Sequence, residues 1–462
     1  MTFKSWVVTV AVVTVLAVCD VNVRAQAPVQ FVGMGDSIGE GVQSGDANAV
    51  TQNYSFLHLM ARQIGASFPL PLIRTNLFAS VGETSGRSRF DLTVQTLNLS
   101  VSGANSNSIL FDAAAAADAS QIDSETELVL FPQLGSQIEI AERLQPEYIA
   151  CWIGSNDALS AALAFDQLNA TQLTPLPVFT ANFTQLVQRI AATGAKAVFG
   201  TIPDITGIGF LLNRDELVRF LGSDYGLPAD ARVGLPAMFM VRLGVLPTTI
   251  FSDPNYVLDS TEQQIISNHI RQLNEVIYAT ATAHGMAVAD LHGVFQYLST
   301  NGLNLFGINL STRFLGGLFS LDGVHPSNIG HGVAALFFID ALNQKYGAGI
   351  PLLDGGTLAF LTLTDPFIDK DGDGRVLGRF GGGLIETVFS VLGISGDTSD
   401  PLPSPTTMTS SSDPTTTTST TAQREQALDE IKKLTGLDWR KVPRGQLLRA
   451  VHEMFGTSRL AR

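Results

Sequence analysis

The chain has 462 residues, 45% of them apolar and 15% charged, with 43 glycines and a formal charge of -14. That length leaves room for a large globular unit with appendages, and the apolar content suits a sizeable core. The acidic balance argues against a general nucleic-acid binder, whose electrostatic footprint is basic, although it does not exclude a local basic site.

Residues 1–27 read as an export signal: Lys4, an apolar run from Trp6 to Val18, then Ala25-Gln26-Ala27 as a small-x-small cleavage site. Pro28 disfavours cleavage after Ala27, so cleavage after Ala25 fits as well. Leu16-Ala17-Val18-Cys19 also resembles a bacterial lipoprotein box, which Val18 fits poorly; lipid anchoring through Cys19 is the second reading. With Cys19 removed only Cys151 remains, so no internal disulfide is expected. No later stretch supplies an uninterrupted apolar span of about 18 residues, so the mature form is expected to lack a transmembrane segment. The expected location is secreted or periplasmic.

The mature chain opens on Phe31-Val-Gly-Met-Gly-Asp-Ser37-Ile-Gly39, a β-prone run ending in a glycine-flanked serine. A strand that runs into Gly-Asp-Ser-x-Gly exposes a small hydroxyl on a tight strand-to-helix turn, where a nucleophile belongs. Too few residues precede Ser37 for the nucleophile elbow of α/β-hydrolases, which needs several strands before it. Taken alone, Gly-Asp-Ser is a surface turn, since all three residue types favour turns.

Tyr54–Ile64 looks helical, 66–90 is a Pro, Gly and Ser-rich loop, and Val94–Leu99 is a strand candidate running into Ser100-Val-Ser-Gly103-Ala-Asn105. Ala113–Ala117 and Leu134–Leu144 look helical. Glu147–Ile153 reads as a buried strand ending in Gly154-Ser155-Asn156-Asp157. Helix Phe179–Ala192 leads to strand Ala195–Phe199 and then Ile202-Pro203-Asp204. Helix Thr261–Ala281, strand Met286–Ala289 and helix Gly332–Tyr346 close the pattern. Strands alternating with long helices indicate an α/β fold with a mostly parallel sheet covered on both faces. Ser37, Gly103, Asn156 and Asp204 all follow candidate strands, on the carboxyl rim where such sheets carry their sites.

Residues 205–260 interrupt the alternation as a large apolar insertion. It reads as a subdomain burying its own core or as a lid that lines an apolar cleft. Residues 351–397 form a Gly-rich, partly strand-like extension. Within it Asp369-Lys-Asp371-Gly-Asp373-Gly374 has the first half of a calcium loop, but Phe380 stands where the twelfth-position acid belongs, so a polar Asp/Gly turn is the competing account. Residues 398–422, almost wholly Ser, Thr, Pro and Asp, are a linker. The tail 423–462 shows two short amphipathic helices, Arg424–Leu434 and Gln446–Phe455. From Arg424 onward it carries nine Lys/Arg against five Asp/Glu, leaving -18 for the rest, so it suits docking on a partner, an acidic surface or its own acidic body.

The partner of Ser37 lies near the other end, in Ser320-Leu-Asp322-Gly-Val-His325-Pro326. A serine hydroxyl needs an adjacent base, and imidazole suits that role when a carboxylate fixes its tautomer. Gly103 offers an unshielded backbone N–H, Asn156 a side-chain amide and Ser37 its own N–H for a developing oxyanion. Asp36 reads as a hydrogen-bonding residue of its turn, Asp157 as a brace of the asparagine loop, and His331 as a packing or capping residue. His58, His269, His284 and His292 lack metal-ligand spacing, so neither a catalytic metal nor a cofactor is expected. Cys151, inside an apolar strand, is expected to be buried and inert.

These blocks, in this order, resemble the GDSL, or SGNH, hydrolase superfamily over about residues 28–346. Ser37 matches the first-block nucleophile, Gly103 the second-block glycine, Asn156 the third-block asparagine, and Asp322 and His325 the last-block pair; Ile38 replaces a common leucine. The resemblance implies a three-layer α/β/α sandwich with a flavodoxin-like sheet, and a serine esterase or lipase acting on small-molecule or lipid esters through an acyl-enzyme. Within it, 28–350 is the catalytic domain. The alternatives are an acyltransferase or polysaccharide deacetylase using the same triad, and a binding or assembly protein acting through its basic tail.

Overall fold

The computed structural model describes residues 29–74, 87–164, 166–378 and 384–397, with 422, 425–426, 428–429, 432–433 and 438–441 beyond them. The expected signal segment with Cys19, Phe380, nearly all of the linker and the second tail helix lie outside the described residues.

Four parallel strands, Phe31–Gly35, Tyr148–Trp152, Lys196–Gly200 and Ala287–Ala289, lie side by side in that order. Their short apolar sequences are covered on both faces, which a parallel sheet requires. Successive residues alternate between two cores. Ala150, Trp152 and Val198 pack with Phe56, Met60 and Phe338 of helices Phe56–Ile64 and Asn328–Tyr346. Val32, Met34, Ile149 and Phe199 pack with Ile138, Leu186 and Ile270, carried by helices Gln137–Leu144, Leu176–Thr193 and Ser260–Ala283. The last of these shows why such segments become helices. Asp259 and Glu262 form a capping box at its start, and Ile266, Ile270, Leu273, Ile277 and Ala281 recur on one buried face. The result is a three-layer α/β/α sandwich.

Beyond the first strand, residues 97–101 run parallel to its outer edge: Gly33 N–H donates to Leu97 O at 3.0 Å and Leu99 N–H to Gly33 O at 2.8 Å. Counting this edge segment, the spatial order is second, first, third, fourth, fifth, the flavodoxin-like arrangement. The strand expected over Val94–Leu99 is reduced to a single bridge, Gly33 to Asn98. Side-chain bonds compete for its backbone, since the Thr96 hydroxyl donates to Asn98 O at 2.9 Å and accepts from Asn98 N–H at 3.1 Å.

Ala113–Ala117 is not helical, contrary to its composition. Ala114 bridges Gly135, and the Glu127 carboxylate takes the N–H groups of Ala115 and Ala116 at 2.9 and 3.1 Å, so tertiary partners override alanine's propensity. The extension holds helices Gly355–Leu363 and Leu384–Val391, and among its described residues strand-type pairing is limited to bridges from Ile368 to Gly316 and from Val376 to Ser395.

The insertion builds a small antiparallel sheet from Leu211–Leu212, Arg232–Gly234 and Val257–Leu258, flanked by helices Arg214–Leu221 and Leu235–Arg242. It does not bury a core of its own. Phe210, Leu212, Phe239 and Phe251 join the apolar cluster that also covers the main sheet. The extension seals the same cluster, with the Phe389 ring 5.5 Å from Phe239 and 6.0 Å from Phe314, and Arg242 donating to Leu392 O at 3.0 Å. Leu428 and Trp439 of the tail are buried in it as well.

Candidate active site

The first strand delivers Ser37 through a turn that only this sequence pattern allows. Gly35 has φ +150°, and a β-carbon there would stand 2.4 Å from Trp152 O. The Gln137 amide brackets this glycine, accepting from Gly35 N–H and donating to Gly35 O, both at 2.9 Å. Asp36 then caps the short helix Ser37–Glu40 by accepting from Ile38 N–H at 3.0 Å. Gly39 passes so close to Ser100 that a β-carbon would meet its Oγ at 2.2 Å. Ser37 is left at the first helical position, where its own N–H has no carbonyl to bond within the helix.

The opposite wall is the loop 320–326. Ser320 N–H donates to His325 O and Gly323 N–H to Ser320 O, both at 2.9 Å, which closes a tight turn. Gly323, at φ +69°, lies against the insertion, where a β-carbon would be 2.5 Å from Phe210 N. In return Phe210 N–H donates to Gly323 O at 2.8 Å.

This loop carries the imidazole to the hydroxyl. His325 Nε2 lies 2.8 Å from Ser37 Oγ, and His325 Nδ1 lies 2.7 Å from Asp322 Oδ2. The fully buried Asp322 carboxylate also accepts from Val324, His325 and Gly45 N–H groups at 2.8, 2.9 and 2.8 Å. Burial alone would raise its pKa, but His325 beside it and these donors outweigh that and hold it below the usual carboxylate range. Asp36, also buried, is pushed up to about 7 by desolvation, against the pull of Ile38 N–H and of His325.

Asn156 lines the same cavity as Ser37 and His325. Its Nδ2 donates to Ala104 O at 2.8 Å, which ties it to the Gly103 loop. Gly103 adopts φ +79° beside that contact and is not among the residues lining the cavity. Asp157 braces both loops by accepting from Ser106 N–H and Oγ–H at 2.9 and 2.7 Å. Asp204 caps its own turn and lines a neighbouring cavity instead. His331 is buried behind the loop, takes Phe56 N–H on Nδ1 at 3.3 Å, and is pushed down to about 3 by burial. Burial in its strand drives the Cys151 thiol pKa up, so it stays protonated.

Around the serine the cavity, about 100 Å³, is apolar, with Leu159, Ile205, Phe295, Leu298, Phe319 and Val333 in its walls. Ile205 comes from the insertion, which therefore contributes to the cleft.

The profile of the GDSL-like Lipase/Acylhydrolase family matches residues 31–338. The chain belongs to this family. A GDSL-like acylhydrolase is an enzyme of the esterase and lipase type. The chain is also similar to solved structures. These include an alpha/beta hydrolase enzyme from the metagenome of Lake Arreo (15% identity, TM-score 0.34, 68% of this chain and 95% of that one). A catalytic mutant of an acetylxylan esterase from Geobacillus stearothermophilus matches at 13% identity, with TM-score 0.35 and coverage of 70% and 96%. The lipase/acylhydrolase from Enterococcus faecalis matches at 13%, with TM-score 0.32 and coverage of 70% and 99%. At such low TM-scores these likenesses do not bear on mechanism. No curated protein matches the chain.

Three site residues escaped sequence reading. Gln137 holds the nucleophile turn and Gly45 holds Asp322. Glu40, fully buried, accepts from Ser102 N–H at 2.7 Å and Ser102 Oγ–H at 2.5 Å, fixing the residue before Gly103. Burial and the Glu125 carboxylate raise its pKa well above the usual range, against the pull of Arg87. The signal for Glu40 was a lone acid inside a glycine-rich turn, Gly39-Glu40-Gly41, followed by an apolar Val42.

Away from the site, ligand-type oxygens of Asp369, Asp371 and Asp373 lie within 4.8 Å of one another. Arg219 already occupies Asp369 Oδ2 at 2.9 Å, and Gly372 and Gly374 N–H groups take the same carboxylate, so the cluster also closes as a polar turn. Among the described residues no helix is long and apolar enough to cross a membrane.

Proposed function

We propose that Ser37, His325 and Asp322 are the catalytic triad of an exported esterase that hydrolyses carboxylic esters through an acyl-enzyme. The observation that carries this reading is the unbroken chain Asp322–His325–Ser37, with contacts of 2.7 and 2.8 Å. Asp322, held ionised, keeps the Nδ1–H tautomer, which leaves the Nε2 lone pair facing Ser37. Ser37 Oγ attacks the ester carbonyl while its proton passes to Nε2. The imidazolium then returns that proton to the leaving alcohol. Water repeats the sequence on the acyl-serine, and the acid is released with Ser37 restored.

The N–H groups of Ser37 and Gly103 and the Asn156 amide are the oxyanion donors in this reading. One Nδ2 hydrogen of Asn156 is spent on Ala104 O, which orients the group and leaves its second hydrogen available. The apolar walls favour a substrate with a hydrocarbon group next to the ester.

The deciding experiment is treatment with a fluorophosphonate, a serine-directed acyl-transfer mimic, followed by peptide mass mapping. A single adduct on Ser37, with loss of 4-nitrophenyl hexanoate turnover, is expected. An adduct elsewhere, or an unlabelled protein that still turns over the ester, would remove Ser37 from the mechanism.

A further inference from the structure

Next to the serine's cavity lies a second one, about 340 Å³, that shares the wall Ile208, Phe295 and Thr312 with it. Its remaining lining is mostly polar and includes Arg232 from the insertion and Arg313 from the segment leading into the loop 320–326. Resting on the triad reading above, we propose that this second cavity binds an anionic group, a carboxylate or phosphate, carried by the alcohol portion of the ester.

Three observations lead there. First, the guanidinium donors are less committed than the carboxylates beside them. The guanidinium of Arg313 is exposed and makes no hydrogen bond to any described residue, and that of Arg232 donates only to Ala231 O, its chain neighbour, at 3.2 Å. Both face Glu216 electrostatically, but that carboxylate is taken by Asn213 N–H at 2.8 Å and Phe314 N–H at 3.2 Å, and burial raises its pKa. Asp204 has one oxygen, Oδ1, engaged by Thr206, through N–H at 3.0 Å and Oγ1–H at 2.7 Å. The imidazole of His292, also in the lining, has its Nδ1 on Ile202 O at 3.0 Å. Free guanidinium hydrogens in a concave site favour acceptor oxygens with negative charge, which they can meet in pairs.

Second, the cavity lies on the imidazole side of Ser37. The Phe295 ring that divides the two cavities meets Phe319 at 6.0 Å, Phe319 bridges Pro326 next to His325, and Phe210, two residues beyond Ile208, bonds Gly323 of the same loop. The leaving alcohol is protonated by His325, so the alcohol portion is the part of the substrate that departs toward this side. Third, the two cavities are adjacent, sharing Ile208, Phe295 and Thr312, so the spacer between the ester oxygen and the anionic group is expected to be short and mostly apolar.

The test compares hexanoate esters that differ only in the alcohol: 4-carboxyphenyl, 4-phosphonooxyphenyl and the neutral isostere 4-carbamoylphenyl hexanoate. In the Arg232→Gln/Arg313→Gln protein, the ratio of kcat/KM for an anionic ester to that for the neutral one is expected to fall about 10-fold or more, the scale of a lost charge-assisted hydrogen bond. The anionic ester whose ratio falls identifies carboxylate or phosphate as the group recognised. Ratios unchanged for both anionic esters overturn the proposal while leaving the hydrolase reading intact. Absence of turnover of all three by the native protein would instead strike the triad reading. Should the double variant fail to fold, Arg313→Gln alone, at an exposed position, carries the same comparison.

Discussion

The amide of Ile329, at the start of the helix that follows His325, donates at 3.0 Å to the carboxylate of Asp365, which lies beyond the family match. The other oxygen of Asp365 takes Phe367 N–H at 3.0 Å, and the residue is fully buried. Leu361 also approaches Gly332 of the same helix so closely that a β-carbon there would be 2.8 Å away. The extension thus anchors the helix that follows the loop carrying Asp322 and His325. A chain ending after residue 350 is expected to lose esterase activity along with cooperative melting. Asp365→Asn, which can accept only one of the two N–H groups, should cost about 1–3 kcal/mol in chemical denaturation. Full activity and unchanged stability in the truncated chain would refute this role.

Within the triad the losses should be unequal. Ser37→Ala and His325→Gln remove the nucleophile and the base, and kcat for 4-nitrophenyl hexanoate should drop about 10⁴-fold or more, while Asp322→Asn should drop it somewhat less. Circular dichroism of each variant should match that of the native protein. A Ser37→Ala protein with native kcat would contradict the assignment.

Glu40 tests the loop that carries Gly103. Glu40→Gln keeps an acceptor for Ser102 and relieves the crowding of carboxylates, so it should retain most of kcat. Glu40→Ala leaves two buried donors of Ser102 without partners, at about 1–3 kcal/mol each, and frees the Gly103 loop. Its kcat should fall more than its KM rises, as expected when transition-state contacts are lost. Equal behaviour of the two variants would make Glu40 incidental.

Asp36 gives a pH signature of definite sign. Its folded pKa, about 7, lies above the ordinary 3.8, so its contribution to stability is complete below about pH 4 and is lost as the pH rises toward 7. The full difference is on the order of 4 kcal/mol. Asp36→Asn keeps the cap to Ile38 and removes the titration. The stability of the native protein relative to this variant should therefore decline from pH 4.5 to 7.5 in urea unfolding. A relative stability that stays flat or rises over this range would be incompatible with a buried, proton-retaining Asp36.

Ser37, Asn156, Asp322 and His325 could be picked out as candidates because acyl-transfer chemistry asks for particular residue types at close local spacing, and the alternation of strands and helices announced the sheet that brings them together. Gln137, Gly45 and Phe210 could not, because each acts through backbone atoms or a single amide whose partner is set only by folding. Ala113–Ala117 misled for a related reason: the carboxylate that captures its N–H groups sits on Glu127, outside any local pattern. The Gly-rich extension read as an appendage, since glycine content reveals nothing about which large side chains, such as Phe389, will find a place in the central core. The insertion was visible as a break in the alternation. Its role in shaping the cleft required knowing that Phe210 meets Gly323.

The hydroxyl and the imidazole that touch in the folded protein are separated by 288 positions along the chain. Their contact therefore waits until nearly all of the intervening chain has been made and folded, so a partial chain that stops short of residue 325 carries the hydroxyl without its imidazole.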